Sequence, residues 1–136
     1  MTLKMSGAPM SLVLPFTPAS ASVARRELGQ WLEQLASCDD DDAADCRLVV
    51  SELVGNAVRH AQPLTNGTME VSWSKEPDGV DISVTDGGGS TRPRKLEAGV
   101  SDLAGRGLSI VEILAGRWWV ESSRARTTVH AFMAGC

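Results

Sequence analysis

The sequence predicts an α+β fold: a two-layer α/β sandwich with one mixed, mostly antiparallel sheet and helices on one face. Two observations predict it. Strand patterns come in adjacent pairs, at 68–75 with 80–85 and at 118–121 with 127–133. Helical patterns lie between and before those pairs, so they can stack as a second layer on one sheet. With 136 residues, 43% hydrophobic and 22% charged, the chain has the size and balance of a single domain with its own core.

Residues 1–10 carry Gly7 and Pro9 and read as a flexible N-terminus, leaving 11–136 as the domain. Ser11 to Thr17 reads as a short strand ending at Pro18. Ala19-Ser-Ala-Ser22 offers capping hydroxyls, and Val23 to Leu35 has an apolar set of Val23, Leu28, Trp31, Leu32 and Leu35 at helical spacing. The acidic run Asp39–Asp42 precedes a longer helical pattern that extends to about Ala61, and Pro63 ends it. Carboxylates at a helix start favour its dipole and free N–H groups, so the run reads as a cap. Met69, Val71 and Trp73 alternate with polar residues, as do Val80, Ile82 and Val84. Pro77-Asp78-Gly79 between them is turn chemistry, so the two form an antiparallel hairpin. The stretch from Gly87 to Arg106 is poor in apolar residues and reads as one long functional loop, a lid. Gly107 to Ala115 reads as a helix, and Trp118–Glu121 with Thr127–Met133 as a closing strand pair. Trp118 and Trp119 are expected in the core and at its edge.

Net charge −4 and pI near 5.1 argue against general nucleic-acid binding, which needs a basic face, and leave room only for a local basic patch. The apolar run Leu12–Phe16 is cut by Pro15 and too short to span a membrane. Cys38, Cys46 and Cys136 are odd in number and form no C-x-x-C pair. That pattern argues against a zinc site and a disulfide framework, and for a reducing cytoplasm.

Three clusters carry chemistry. Glu52, Asn56 and His60 recur every four residues of the second helix. A step of four advances about 40° beyond a turn, so they form one slanting row of carboxylate, amide and imidazole. Such a row is costly in a core without partners. Asp86-Gly-Gly-Gly-Ser90 follows a strand, and Gly105-Arg-Gly-Leu108 opens a helix. Taken alone, the second cluster is equally a plain turn, and the third a flexible helix entry.

In this order, over residues 11 to 134, the three resemble the GHKL ATPase family, whose ATP-binding domain has the Bergerat fold. Glu52-Leu-Val-Gly-Asn56-Ala-Val-Arg-His60 resembles its N-box, Asp86-Gly-Gly-Gly-Ser90 its first glycine box and Gly105-Arg-Gly-Leu108 its second. The resemblance implies ATP and Mg²⁺ as cofactors. It implies that Asn56 binds the Mg²⁺ bridging the phosphates, an oxygen donor for a hard cation. It implies that Asp86 reads the adenine amino group while Gly88 lets the backbone approach the base. Gly105, Arg106, Gly107, Leu108 and Ser109 would meet the phosphates at a helix start. Thr128, in preference to Thr127, would support Asp86 through water. Glu52, one turn from the metal ligand, is the candidate catalytic base. His60, at the helix end, is expected behind the ligands rather than among them. There is no G-x-x-x-x-G-K-[S/T], so the chain is not a P-loop enzyme. Ser90 departs from the glycine usual in the first box.

Within the family, the short lid and Gly-Arg-Gly-Leu-Ser-Ile-Val-Glu resemble stand-alone anti-sigma-factor serine/threonine kinases. That branch implies phosphorylation of a STAS-type anti-anti-sigma partner, capture of a sigma factor, and a possible homodimer. Arg25 and Arg26 on the first helix would then be partner surface, or else an ordinary solvated face. The alternative, motivated by Ser90, is a regulatory module that binds ATP or a partner without turnover.

Overall fold

The computed structural model describes residues 8–88, 96–97 and 109–136. Its elements run β1 (Met10–Pro15), α1 (Ser20–Leu32), α2 (Asp40–His60), β2 (Thr68–Glu76), β3 (Gly79–Asp86), β4 (Leu96–Glu97), α3 (Ser109–Leu114), β5 (Arg117–Ser122) and β6 (Thr127–Ala134). The strands form one sheet in the order β1-β2-β3-β6-β5-β4. Each described pairing is antiparallel, where the sequence left room for a mixed sheet. β4 is a two-residue strand against Val120 and Trp119, within the stretch expected to be all loop.

Period-two alternation divides the sheet into two faces. Met69, Val71 and Trp73 of β2, Val80, Ile82 and Val84 of β3, Ala131 and Met133 of β6, and Trp118 and Val120 of β5 are buried. Registers such as Val71↔Val84, Val84↔Val129 and Val129↔Val120 put them on the same face. The helices cover that face: α2 lies on β3 and β6, α1 packs along α2, and α3 sits between α2 and β5. From the helix layer come Leu28, Leu32, Val49, Val50, Leu53 and Val54, all buried. Each such aliphatic side chain contributes about 1.5–3 kcal/mol relative to an exposed one.

The acidic run caps α2 as its composition predicts. An Asp39 side-chain oxygen accepts the Asp42 N–H at 2.8 Å, and Asp40, Asp41 and Asp42 fill the first turn. The first helix starts at Ser20 rather than Val23, because the Ser20 hydroxyl donates to the Pro15 carbonyl at 2.7 Å and folds the chain back at once. It stops at Leu32, and Leu35 is buried in the turn that follows.

The cysteine expectation is overturned. Cys38, after α1, is disulfide-bonded to Cys136, two residues beyond β6, across a separation of 98 residues. Spacing in sequence cannot show this, since the fold brings the two together. The cysteine argument for a reducing compartment falls with it. No helix among the described residues is long and apolar enough to cross a membrane.

Candidate functional site

The site is built where the second half of α2 meets the end of β3. Glu52, Asn56 and His60 lie on α2, but their environments differ. Glu52 is half-buried, Asn56 is 4% exposed and His60 is exposed in the last turn. The Asn56 Oδ1 atom is fully buried and accepts no hydrogen bond among the described residues. An orphaned buried acceptor costs about 1–3 kcal/mol, so this oxygen is open to a ligand that would use it; the indole N–H groups of Trp73 and Trp118 are likewise buried without partners among the described residues, but in the core.

Asp86 closes β3 on the helix-facing side, in phase with Ile82 and Val84, and is 3% exposed. Its carboxylate accepts the Gly88 N–H at 2.7 Å, which fixes its orientation. The backbone there is stitched to the exit of α2. Gly87 N–H donates to the Gln62 carbonyl and Gln62 N–H to the Gly88 carbonyl, both at 2.7 Å. A Cβ on Gly87 would stand 2.2 Å from the Pro63 carbonyl oxygen, so only glycine permits this approach. Gly88 has φ +90°, the left-handed region that glycine favours. The helix carrying Asn56 and the strand carrying Asp86 are thus tied together at one end of the sandwich.

Thr128 lies on the other side of the sheet from Asp86. It pairs with Thr85, their hydroxyls 2.7 Å apart, on the face of the sheet away from the helices. Thr127 is the threonine on the Asp86 side. It stands opposite Asp86 in register, 3.2 Å from the Ser122 hydroxyl, and its Oγ1 lies 3.5 Å from where a Gly88 Cβ would be. The signal was in the sequence: Val129, Ala131 and Met133 set the inward parity of β6, and Thr127 shares it. Gly87 is the residue that the motif reading gave no role, and Thr127 the one it ranked second.

Ser109 is exposed at the start of α3, which packs on α2 and β5. Gly105, Arg106, Gly107, Leu108 and Ser90 lie outside the described residues. Arg25 is not simply solvated: its guanidinium donates to the hydroxyls of Ser51, at 3.2 Å, and Ser22, at 3.4 Å. Ser51 adjoins Glu52, so α1 reaches the flank of the site. Arg26 pairs with Glu27 at 3.7 Å on the surface, where such a pair adds little stability.

The outer face carries a separate polar cluster. His130 sits between Asp81, with both carboxylate oxygens 3.3 Å from Nδ1, and Glu121, 3.1 Å from Nε2. Trp119 stacks on its ring at a centroid distance of 4.7 Å. Burial works to lower the His130 pKa, but the hydrogen bonds and charges of Asp81 and then Glu121 outweigh it and hold the value above the usual histidine range.

The arrangement fits a magnesium nucleotide. Asn56 supplies an oxygen donor already stripped of water, Asp86 an oriented carboxylate for an amino group, and Glu52 a carboxylate one turn from Asn56. A search of curated proteins finds no significant match. The crystal structure of the RsbU and RsbW domains of Rv1364c from Mycobacterium tuberculosis superposes with a TM-score of 0.70 at 25% sequence identity, over 93% of this chain. The chain spans 31% of that longer polypeptide. The model of the histidine kinase-like ATPase domain matches residues 14–132. With nearly the whole fold inside that match, and the N-box helix joined to the first glycine box, the chain belongs to the histidine kinase-like ATPase domain family.

Proposed function

We propose that this protein is an ATP-dependent serine/threonine protein kinase that acts as an anti-sigma factor in the cytoplasm. Its substrate is a hydroxyl on a STAS-type anti-anti-sigma partner. The observation that carries the reading is the buried, unpartnered Asn56 Oδ1, one helical turn beyond the half-buried Glu52 carboxylate. A site that only held a partner protein would have no use for a desolvated oxygen beside a carboxylate. The similarity to a structure that contains an RsbW domain supports this branch of the family.

Each residue has a distinct task. Asp86, oriented by the Gly88 N–H, accepts the adenine amino group. Thr127, opposite it, supports that contact. Asn56 holds Mg²⁺, which when bound neutralises phosphate charge. Gly105, Arg106, Gly107, Leu108 and Ser109 bind phosphates. Glu52 takes the proton from the acceptor hydroxyl as its oxygen bonds to the γ-phosphorus and ADP leaves. Arg25, held at Ser51 beside Glu52, and Arg26 lie on the side from which a protein acceptor approaches. The phosphate adds about two negative charges to the partner and releases it, freeing the kinase to hold a sigma factor.

The test is transfer of labelled γ-phosphate from ATP to a STAS-type protein offered as substrate. Wild type labels the partner and Glu52→Ala does so at least 100-fold more slowly, within the range of general-base catalysis. Equal labelling by Glu52→Ala overturns the role of Glu52, and absence of labelling with intact ATP binding leaves a regulatory module without turnover.

A further inference from the structure

The Cys38–Cys136 bond joins two parts of the chain that the site does not use. Cys38 lies in the short connection between α1 and α2, and Cys136 lies beyond β6. The same junction is held by the Ser37 hydroxyl donating to the Cys136 carbonyl at 2.7 Å, while Gly135 N–H donates to the Asp78 carbonyl at 3.2 Å and fixes the end of the chain to the β2–β3 turn. The two segments therefore meet through a hydrogen bond as well as through sulfur, and with the C-terminal segment also fixed to the β2–β3 turn, breaking the disulfide leaves the thiols placed to re-form it. The junction sits at the start of α2, while Asn56 lies about 24 Å further along the helix at ~1.5 Å per residue. It fastens the helix layer to the sheet at the end remote from the nucleotide site.

We infer that Cys38 and Cys136 form a reversible thiol–disulfide clasp that responds to low-molecular-weight disulfides and thiols. The cytoplasmic setting, which rests on the proposed function, makes the pair a switch rather than a permanent staple, since lasting disulfides are rare there. Cys38 is half-buried and Cys136 is 2% exposed, so exchange enters at Cys38. In closing, the Cys38 thiolate attacks a small disulfide RSSR, forms the mixed disulfide and expels RS⁻. The Cys136 thiolate then attacks the Cys38 sulfur and expels a second RS⁻. Two cysteine thiols lose two electrons in total, RSSR gains them, and the two cysteine protons end on the two RSH formed. Opening is the reverse, driven by excess RSH. Cys46 does not intercept the exchange. It is fully buried, and burial together with Asp42 and Asp45 pushes its thiol up to about 12, so it stays protonated and inert.

Closing a loop of this length restricts the unfolded chain strongly, so the clasp is read as a melting-temperature shift of roughly 10–15 °C. The full chain is equilibrated with oxidised or reduced glutathione, quenched, alkylated under denaturing conditions and weighed, and each form is melted without nucleotide. After oxidised glutathione one thiol per chain is expected to alkylate, after reduced glutathione three, with the oxidised form melting higher. Cys46→Ala retains both differences, while Cys38→Ser and Cys136→Ser each abolish the melting difference. Three free thiols after oxidised glutathione, a lasting glutathione adduct, a disulfide between two chains, or equal melting of both forms overturns the clasp. The wild-type comparison stands even where a serine variant fails to fold. No readout involves ATP, so failure here leaves the kinase proposal untouched.

Discussion

Replacing Asn56 by leucine separates stability from function in a way that few substitutions can. Asn56 is 4% exposed and its Oδ1 is buried without a donor. Leucine keeps the branched outline of the amide and removes the stranded acceptor, and an unsatisfied buried acceptor costs about 1–3 kcal/mol. At roughly 3–4 °C per kcal/mol for a domain of this size, the nucleotide-free variant should melt roughly 3–12 °C above wild type. The same change deletes the oxygen offered to the cation, so calorimetric titration with Mg-ATP should show affinity reduced at least 100-fold. A stabilised protein with a lost ligand is the expected pair of results. Melting below wild type would falsify the claim that the oxygen is unpaired, and unchanged Mg-ATP affinity would remove Asn56 from the site.

Other outcomes follow from the same geometry. Gly87→Ala places a Cβ 2.2 Å from the Pro63 oxygen and breaks both backbone bonds to Gln62. Urea unfolding should show a loss of about 2–4 kcal/mol, and a loss below 0.5 kcal/mol would mean that the loop relaxes freely. Thr127→Val should weaken ATP binding about tenfold, roughly 1.4 kcal/mol, while Thr128→Val changes it less than twofold. The opposite order would restore Thr128 to the site. His130 has a folded pKa above its unfolded value of about 6.5, so its contribution is fully present below that value and lost as pH rises through the folded one. The stability gap between wild type and His130→Gln should therefore be larger at pH 5.5 than at pH 9, and a gap that is flat or grows with pH contradicts the double carboxylate contact.

Much of the fold was legible because local periodicity and tertiary burial agree. Met69, Val71 and Trp73 alternate in sequence, and all three are buried on one face. The cap of α2 was visible because Asp39 acts within three residues of itself. What escaped depends on distant partners. The disulfide joins residues 98 apart, and no spacing rule reaches that far. The two-residue β4 is too short to carry an alternation and exists only through its pairing with β5. Gly87 looked like one of three interchangeable glycines until the Pro63 carbonyl appeared against it. The preference for Thr128 over Thr127 followed the motif rather than the pleat: the parity of Val129 and Ala131, available in the sequence, puts Thr127 on the inward face. Within the row on α2, burial sorted what spacing could not, with Asn56 inside, Glu52 at the margin and His60 outside.

The most direct test is a calorimetric titration of the full chain with ATP and with GTP in the presence of Mg²⁺, repeated on Asp86→Ala. The account predicts that ATP binds, that GTP, which lacks the adenine amino group, binds at least 100-fold more weakly, and that Asp86→Ala loses ATP binding. Absence of ATP binding at millimolar concentration, or ATP binding indifferent to Asp86→Ala, would contradict it.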